Sequence, residues 1–402
     1  MKKNRVFLLA LVALLGFGTF AACGDNQTNS SDSSESNVPG ESESVDNGSS
    51  GGDVTPEVHY GLPVAATGYY IKDADIIGDD SSRVLLYTTN GESAEEDNVL
   101  AIRSATKEAD GWLYGDETIA VTGTVDAWDE FIGSGSIVKG SFSYGNESYQ
   151  WLIAYSATTK ANESQNEIGL AVAKEVGGEW TKVSSAPLIA FDETVYGTGS
   201  AGCYAPSLVN LNGESKIRIY YTYADAYGHF AQFVDIDASN LDKLYTEEAK
   251  KDVNLISGTV QLPTNGNLSG GDAALMFPNA DFAHDATTGT VYAVKDYSPS
   301  AATTPNYAEK IELGWIAEAE FYTAEVLAGW KSLRIWDFSD TPDMAYERLY
   351  SAAIVSDYYG KVNGATALEV VYNVCEIEIV EENWMFTQNL VSVELSLTDS
   401  AA

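Results

Sequence analysis

Carboxylates stand at the start of two short apolar stretches, where they are able to do chemistry. Asp73 and Asp75 precede two isoleucines in Asp-Ala-Asp-Ile-Ile, and Asp281 follows Asn279 in Asn-Ala-Asp-Phe-Ala. Residues two apart lie on the same face of a strand, so Asp73 and Asp75 are expected to point the same way. Such a carboxylate can accept hydrogen bonds from hydroxyl groups or take a proton from water. The structural alternative is that it caps backbone amides between neighbouring sheets.

Aromatic residues lie at or just before stretches of the same kind. They are Trp128, Phe131, Tyr204, Phe277 and Tyr350. Rings in such places stack on the flat apolar faces of a ligand. A chain with 11% aromatic residues also needs rings in its core. We predict that Trp128 and Tyr204 contact a ligand.

Other kinds of chemistry have little support in this sequence. His59, His229 and His284 lack metal-ligand spacing, although His284 in Asp-Phe-Ala-His-Asp is a candidate ligand contact. The chain has no Gly-rich phosphate loop, no Gly-x-Ser-x-Gly elbow and no Cys/His nucleophile pair. No cofactor is therefore expected. A structural Ca²⁺ ion is conceivable in an acidic chain, but no Asp-x-Asp-x-Asp-Gly loop supports one.

Short strands must position these residues, and their pattern recurs. An apolar pair beside a small or acidic residue is followed by a turn and a Tyr-rich strand at five places, which begin at Asp73, Ser134, Ala205, Asn279 and Ser351. The intervals are about 60 to 75 residues, enough for a four-stranded sheet with long loops. The clearest copy spans residues 131–180. The repeat predicts an all-β fold, a five-bladed β-propeller over residues 60–402.

The order of these motifs resembles a known group. Asp-Ala-Asp-Ile-Ile, Ser-Ile-Val-Lys-Gly, Ala-Pro-Ser-Leu-Val and Asn-Ala-Asp-Phe-Ala follow one another as in the five-bladed propeller glycosidases. These are glycoside hydrolase families 43, 62 and 32 and their uncharacterised exported relatives. The resemblance implies an Asp general base in the first blade, an Asp that orients the site in the second and a Glu general acid in the third. Two carboxyl groups are needed because the leaving oxygen gains a proton while water loses one.

Only part of that set has a counterpart in this chain. The first-blade Asp falls on Asp73, the candidate base, with Asp75 as the alternative. The second falls on Ser134, and the third falls near Tyr204 or Ala205, where no acid stands. A serine carries no negative charge at neutral pH, and neither third-blade residue replaces a carboxylic acid as proton donor. Relocated acids remain an alternative: Asp126, Asp129, Glu130, Asp192 and Glu193.

We therefore predict an axial site around Asp73. The predicted ligand-binding residues are Asp75, Trp128, Asp129, Ser134, Tyr204, Asn279, Asp281, His284, Arg348 and Ser351. Sugars present flat C–H faces to rings and hydroxyls to polar groups, which suits this mixture.

The beginning of the chain predicts export. Residues 1–22 have a basic start, an apolar stretch and Ala21-Ala22 at the end, as in a signal peptide. Phe-Ala-Ala-Cys resembles a bacterial lipoprotein box, which implies lipidation of Cys23; simple secretion and an uncleaved anchor are the alternatives. Residues 23–59 are rich in Ser, Asn, Gly and acids and predict a disordered linker. We expect a membrane-anchored lipoprotein at the cell surface or in the periplasm.

Charge and cysteines restrict the partners. The net charge of −37 repels nucleic acid and anionic membrane surfaces, so the lipid is the only membrane contact expected. Cys203 and Cys375 are too few for a disulfide scaffold and are predicted to be small buried residues. Nothing in the sequence indicates an oligomer, and a monomer is expected.

Three functions remain open at this point. The first is a glycan-binding surface protein on a glycosidase-like propeller whose catalytic acids have been lost. The second is an active glycoside hydrolase on polysaccharides that contain arabinose or xylose. The third is a propeller that binds a protein partner. The number of carboxyl groups at the pocket floor separates the first two.

Overall fold

The computed structural model describes most of the chain beyond residue 70. The described residues are 57–59, 71–90, 97–109, 111–160, 164–225, 228–245, 277–297, 310–321, 331–337, 348–375 and 389–397. The predicted signal peptide, Cys23 and nearly all of the predicted linker lie outside them. No helix among the described residues is long and apolar enough to cross a membrane.

The strands form five antiparallel sheets, and each sheet is one blade. The first strand, β1 (Glu57–His59), belongs to the last blade. Blade 1 contains β2 (Lys72–Gly78), β3 (Ser82–Thr89), β4 (Val99–Glu108), β5 (Gly111–Tyr114) and β6 (Thr118–Thr122), with β5 and β6 both paired to β4. Blade 2 contains β7 (Phe131–Tyr144), β8 (Glu147–Thr158), β9 (Glu167–Ala173) and β10 (Trp180–Lys182).

The later blades repeat the arrangement. Blade 3 has three described strands, β11 (Gly202–Asn210), β12 (Lys216–Asp225) and β13 (Gly228–Asp237). Blade 4 contains β14 (Asp281–Asp285), β15 (Thr290–Tyr297), β16 (Lys310–Ala317) and β17 (Lys331–Asp337). Blade 5 contains β18 (Arg348–Ile354), β19 (Ala367–Cys375) and β20 (Asn389–Ser396), and β1 is its outermost strand.

Helices are short and peripheral to this plan. The described ones are α1 (Glu193–Tyr196), α2 (Glu318–Phe321) and a 3₁₀ segment over Ala238–Tyr245 that breaks at Asn240. Asp192 caps α1 by accepting the amide of Thr194 at 2.8 Å. The chain is thus the all-β, five-bladed propeller that the repeat predicts.

The strands near the axis are buried on both faces because blades pack face to face. Six consecutive residues of β3, from Val84 to Thr89, are buried, as are eight of β8, from Trp151 to Thr158. This burial favours the β-branched and aromatic residues that fill these strands. Cys203 lies fully buried in this interior, as predicted, whereas the side chain of Cys375 lies outside the described ones.

The first strands of the blades meet around the axis and are joined by side chains at one level. Four residues, called here the seam residues, each accept a hydrogen bond from a backbone amide of the next blade. The pairs are Asp75 with Ile137 at 2.8 Å, Ser136 with Leu208 at 3.0 Å, Ser207 with Phe282 at 3.0 Å and Asp281 with Ile354 at 2.8 Å. Ala353 holds the corresponding place in blade 5 and has no side-chain acceptor.

A loop closes one end of the axis. This plug loop, residues 356–362, joins β18 to β19 and forms backbone hydrogen bonds with the ends of the other four inner strands. Its partners are Ile76 and Gly78 in blade 1, Lys139 in blade 2, Asn210 in blade 3 and His284 in blade 4. The carboxylate of Asp357 accepts amides within the loop and stabilises its turn.

The linker prediction needs one correction. Glu57, Val58 and His59 fall within the predicted linker, but they pair with Glu394, Val393 and Ser392 of β20. The edge of blade 5 offers unpaired backbone groups, and these three residues satisfy them. The folded domain therefore begins before residue 60.

Candidate functional site

The start of each inner strand lies at the end of the axis opposite the plug loop, here called the mouth. Five head residues occupy equivalent places there: Asp73, Ser134, Ala205, Asn279 and Ser351. Four of them have left-handed backbones, with φ of 51° at Asp73, 47° at Ala205, 46° at Asn279 and 50° at Ser351. That conformation is uncommon for residues other than glycine, and bulges of this kind re-aim side chains near functional sites. In blade 2 the bulge falls one residue earlier, between Ile132 and Gly135.

Asp73 is held by its neighbours from blade 5. The hydroxyl of Ser351 donates to its carboxylate at 2.5 Å, and the Asp73 amide donates to Asn373 Oδ1 at 3.0 Å. Lys72 Nζ lies 3.8 Å from the other carboxylate oxygen. The side chain is 15% exposed, so it remains within reach of a ligand at the mouth.

A second carboxylate, Asp296, lies directly behind the head residues. Its two oxygens accept the Ser351 amide at 2.7 Å and the Asn279 side-chain amide at 2.6 Å. Burial raises the pKa of Asp296 to about 7, and the negative charge of Asp73 also raises it. Asp73 and Asp296 therefore contact the same residue, Ser351, from two sides.

The sequence analysis missed Asp296 because it lies on the second strand of blade 4, while the motif search followed first strands. A signal was nevertheless present. Lys295 and Asp296 interrupt an apolar and aromatic strand, and both are buried. Charged residues in such a strand are costly unless they have partners, which marks them for attention.

Tyr204 and His229 form a neutral pair in blade 3. The Tyr204 hydroxyl lies 2.6 Å from His229 Nδ1. Burial raises the pKa of Tyr204 and lowers that of His229 to about 4. Both side chains are uncharged at neutral pH, so this side of the mouth offers a ring and a polar edge.

Blade 2 presents no carboxylate at its head. The Ser134 amide donates to Ser156 Oγ at 3.0 Å, and the two hydroxyls lie 3.2 Å apart. Among the relocated acids, buried Asp129 pairs with Lys182, while Asp192 and Glu193 are exposed at α1 and bond Thr194 and Thr198. Asp126 and Glu130 precede β7 in the connection from β6.

Trp128 and Asp129, both predicted to bind ligand, have packing contacts in blade 2. The Trp128 ring stacks on Tyr155 with centroids 5.6 Å apart, and it covers Gly169. The Tyr155 hydroxyl donates to Asp129 at 3.2 Å. Phe277 is also in the core, stacked on Phe282.

Asp75 and Asp281 are seam residues, two positions deeper than their heads, or about 7 Å along the strand. Burial raises the pKa of both carboxyl groups, and the charge of Asp281 further raises that of Asp75. Their observed bonds join blades, which is the structural alternative considered for them. Direct contact of either with a ligand stays a prediction.

His284 does not join the head residues. It lies three residues beyond Asp281, where its backbone contacts the plug loop and its Nε2 lies 2.5 Å from the Tyr220 hydroxyl. Burial lowers its pKa to about 3. The strand carries it about 10 Å beyond Asp281, and thus about 17 Å from the mouth, which places it apart from the head residues. Arg348 begins β18, and its side chain lies outside the described ones.

The arrangement gathers Asp73, Tyr204, Asn279, Asp296 and Ser351 at one end of the axis. It can accept and donate several hydrogen bonds at once, beside one aromatic ring. Across the described part of the chain, no three His, Cys, Asp or Glu side chains are grouped to hold a metal ion.

Comparison with known proteins finds likeness in structure only. No family model matches the chain, and no curated protein does. Among solved structures, it is similar to an α-L-arabinofuranosidase from Lactobacillus brevis, with 11% identity and a TM-score of 0.52 over 84% of this chain and 92% of that one. The catalytic domain of a family 62 α-L-arabinofuranosidase from Coprinopsis cinerea gives 10% identity and a TM-score of 0.50, over 83% and 94%.

A family 62 hydrolase in complex with xylotriose gives 9% identity and a TM-score of 0.50, over 85% of this chain and 97% of that one. At such identities the likeness concerns the fold. The resemblance first seen in the motifs is confirmed at that level: the chain is a five-bladed β-propeller, with the same fold as these hydrolases.

Proposed function

We propose that the mouth of the propeller binds a carbohydrate and does not cleave it. The observation that carries this proposal is the set of five head residues, which contains a single carboxylic acid, Asp73. Glycoside hydrolysis needs two carboxyl groups with separate roles on opposite sides of the bond. The other heads offer two hydroxyls, one amide and one methyl group, which suit the recognition of sugar hydroxyls.

The charges at the mouth favour an uncharged sugar. Asp73 and Asp296 are both acidic, and the nearby cations already have partners: Lys72 faces Asp73, and buried Lys295 lies 2.9 Å from Glu312. A uronic acid would bring a further negative charge to this site and be repelled. Neutral polysaccharides that contain arabinose or xylose are therefore the first ligands to test.

One observation favours hydrolysis as a second candidate. Burial raises the pKa of Asp296 to about 7, in the range that suits a general acid, and Ser351 connects it to Asp73, which would be the base. Against this, both oxygens of Asp296 already accept internal hydrogen bonds, and the residue is only 6% exposed. A leaving-group oxygen would have to displace one of these donors.

Retention and release separate these functions in one experiment. The mature chain is run through gels that contain arabinoxylan, arabinan, xylan or polygalacturonate, and released reducing sugar is measured in parallel. We expect retardation by a neutral polysaccharide, none by polygalacturonate and no release. Release that disappears in Asp73→Asn would establish the hydrolase instead. Absence of both would favour a protein partner.

We also propose that the protein is exported and anchored through a lipid on Cys23, with no oligomer required for its function. The basic, apolar and small-residue pattern of residues 1–22 supports this. Mass spectrometry of the mature N-terminus is expected to show diacylglycerol on Cys23. Cys23→Ala is expected to release the protein from the membrane fraction, and unchanged membrane association would contradict the anchor.

A further inference from the structure

A buried polar residue occupies the same level of the second strand in every blade. The level is defined by backbone pairing. Each seam position on a first strand pairs with a residue of the second strand, and the residue at this level follows that partner by two positions. The five are Thr88, Ser156, Thr222, Asp296 and Asn373, and all are buried.

Four of these residues have neutral side chains, which form hydrogen bonds with backbone groups at or near a head residue. Thr88 Oγ1 donates to the Gly133 carbonyl at 2.9 Å, and Thr222 Oγ1 to the Phe277 carbonyl at 2.7 Å. Asn373 and Ser156 accept the amides of Asp73 and Ser134, both at 3.0 Å. A hydroxyl or an amide is therefore enough for the structural role at this level.

Asp296 is the one carboxylic acid of the five. Like Asn373, it accepts the amide of the next blade's head, but it also holds the side chain of Asn279 at 2.6 Å. Burying a carboxylate opposes its ionisation, and the raised pKa shows this cost. The other four blades use uncharged side chains at this level, so the acid calls for a functional explanation.

We infer that Asp296 is a positioning residue of the carbohydrate site, whose carboxylate fixes Asn279 and Ser351 and, through the Ser351 hydroxyl, orients Asp73 toward the ligand. This inference rests on the proposed function. An ionised carboxylate accepts from both neighbours at once. In a protonated carboxyl group one oxygen remains a strong acceptor, while the other carries the proton and becomes a donor. One of the two hydrogen bonds to Asp296 therefore weakens.

The groups around Asp296 define the proton dependence. Asp73 of β2 opposes its charge, Lys295 of its own strand favours it, and Tyr204 of β11 with His229 of β13 remain neutral. Glu312 of β16 balances Lys295. Ligand affinity should therefore rise from pH 6 to pH 8 and level off above, as Asp296 loses its proton.

The test compares Asp296→Asn with a matched control, Thr88→Ser, which lies at the same level of blade 1 and keeps its hydroxyl. Affinity for arabinoxylan is measured by gel retardation at pH 6, 7 and 8, and the melting temperature is measured at each pH. For Asp296→Asn we expect at least tenfold weaker binding at pH 8, a gap below threefold at pH 6 and a higher melting temperature at pH 8. Thr88→Ser should bind as the wild type does.

A purely structural residue would behave differently. The inference would be overturned if Asp296→Asn lowered the melting temperature together with the affinity. It would also be overturned if the difference in affinity between this variant and the wild type did not change with pH.

A ligand-free measurement separates this inference from the proposed function. The side-chain amide resonances of Asn279 and the backbone amide resonance of Ser351 should titrate together near pH 7 in the wild type and stay constant in Asp296→Asn. If arabinoxylan and the other polysaccharides fail to bind but this titration is seen, the proposed function falls, while the carboxylate of Asp296 still fixes Asn279 and Ser351. If the resonances do not titrate, the positioning role falls.

Discussion

The two ends of the propeller axis are held together by different kinds of bonds. At the plug end, backbone groups of residues 356–362 reach every other blade, and the sequence of the strands hardly matters to these bonds. At the mouth, side chains make the bonds and four head residues are strained. The buried carboxylate of Asp296 joins blades 4 and 5, and Ser351 continues the connection to Asp73 in blade 1. The difference teaches that the bonds which close the ring lie at one end of the axis, while the residues that could contact a ligand lie at the other. A secure plug allows the mouth to contain residues that stability alone would not favour.

The largest expected effect comes from crowding the plug. Gly360 has a φ of +73°, and a Cβ atom there would lie 2.3 Å from the Leu208 carbonyl oxygen. Gly360→Ala should lower the free energy of unfolding by about 4 kcal/mol through backbone clash and left-handed strain. Gly364→Ala is the control, because φ is +67° but the space is open, and should cost about 1 kcal/mol. Urea unfolding measures both, and equal losses would contradict the role of the plug.

Removing a seam bond should have a smaller effect. Ser207→Ala leaves the Phe282 amide without its acceptor in a buried seam between blades 3 and 4. We expect a loss of about 2 kcal/mol in urea unfolding. The control Ser215→Ala removes an exposed hydroxyl that bonds Asp237 at 3.3 Å, and a change within about 0.5 kcal/mol is expected. A seam variant as stable as this control would show that the plug alone closes the ring.

Acids in the interior should make stability depend on pH. Burial raises the pKa of Asp75 and Asp281, and that of Asp296 to about 7, so the folded chain holds protons that the unfolded chain releases. The free energy of unfolding should therefore fall by about 1 to 2 kcal/mol from pH 6.5 to pH 8. Below pH 6.5 the lowered pKa values of His229 and His284 act in the opposite direction.

Calorimetry across that range checks the sign, and Asp75→Asn should flatten the slope. A slope unchanged in this variant would mean that Asp75 is ionised in the folded chain throughout, against the raised pKa.

The smallest effect should be a gain at the mouth. Ala205 has a φ of 47°, which a glycine adopts without penalty. Ala205→Gly should stabilise the protein by about 1 kcal/mol, whereas Ala353→Gly, at a buried position with ordinary backbone, should destabilise it by a similar amount. Thermal unfolding compares the two, and a loss at both positions would mean that the mouth stores no strain.

The fold was predictable because the head motifs repeat in order. The starts inferred at Asp73, Ser134, Ala205 and Ser351 match observed bulges, with blade 2 shifted by one residue. Asn279 shares the left-handed φ of three of these residues. The pattern could not separate head residues from seam residues. Asp73 and Asp75 share a face and a motif, yet the bulge turns one toward the mouth and the other toward blade 2.

The sequence pattern could not predict contacts between residues that are far apart in the chain. Asp296 becomes part of the site through Ser351, 55 residues away, and Asn373 reaches Asp73 across 300 residues. His284 is the opposite case, because it is near Asp281 in the sequence but lies further from the mouth along the axis. The β1 strand was missed because its composition resembles that of the linker, and only its pairing with β20 gives it a place.

The plug loop has a consequence for the order of folding. Its contacts with the first blade join residues far apart in the chain, as between Ser82 and Tyr358, 276 residues apart. Contacts of such separation form late, because the entropy of a very long loop must be lost first. During synthesis the earlier blades can form and adjust while the ring is still unlocked. The plug end of the axis therefore decides when the mouth acquires its final shape.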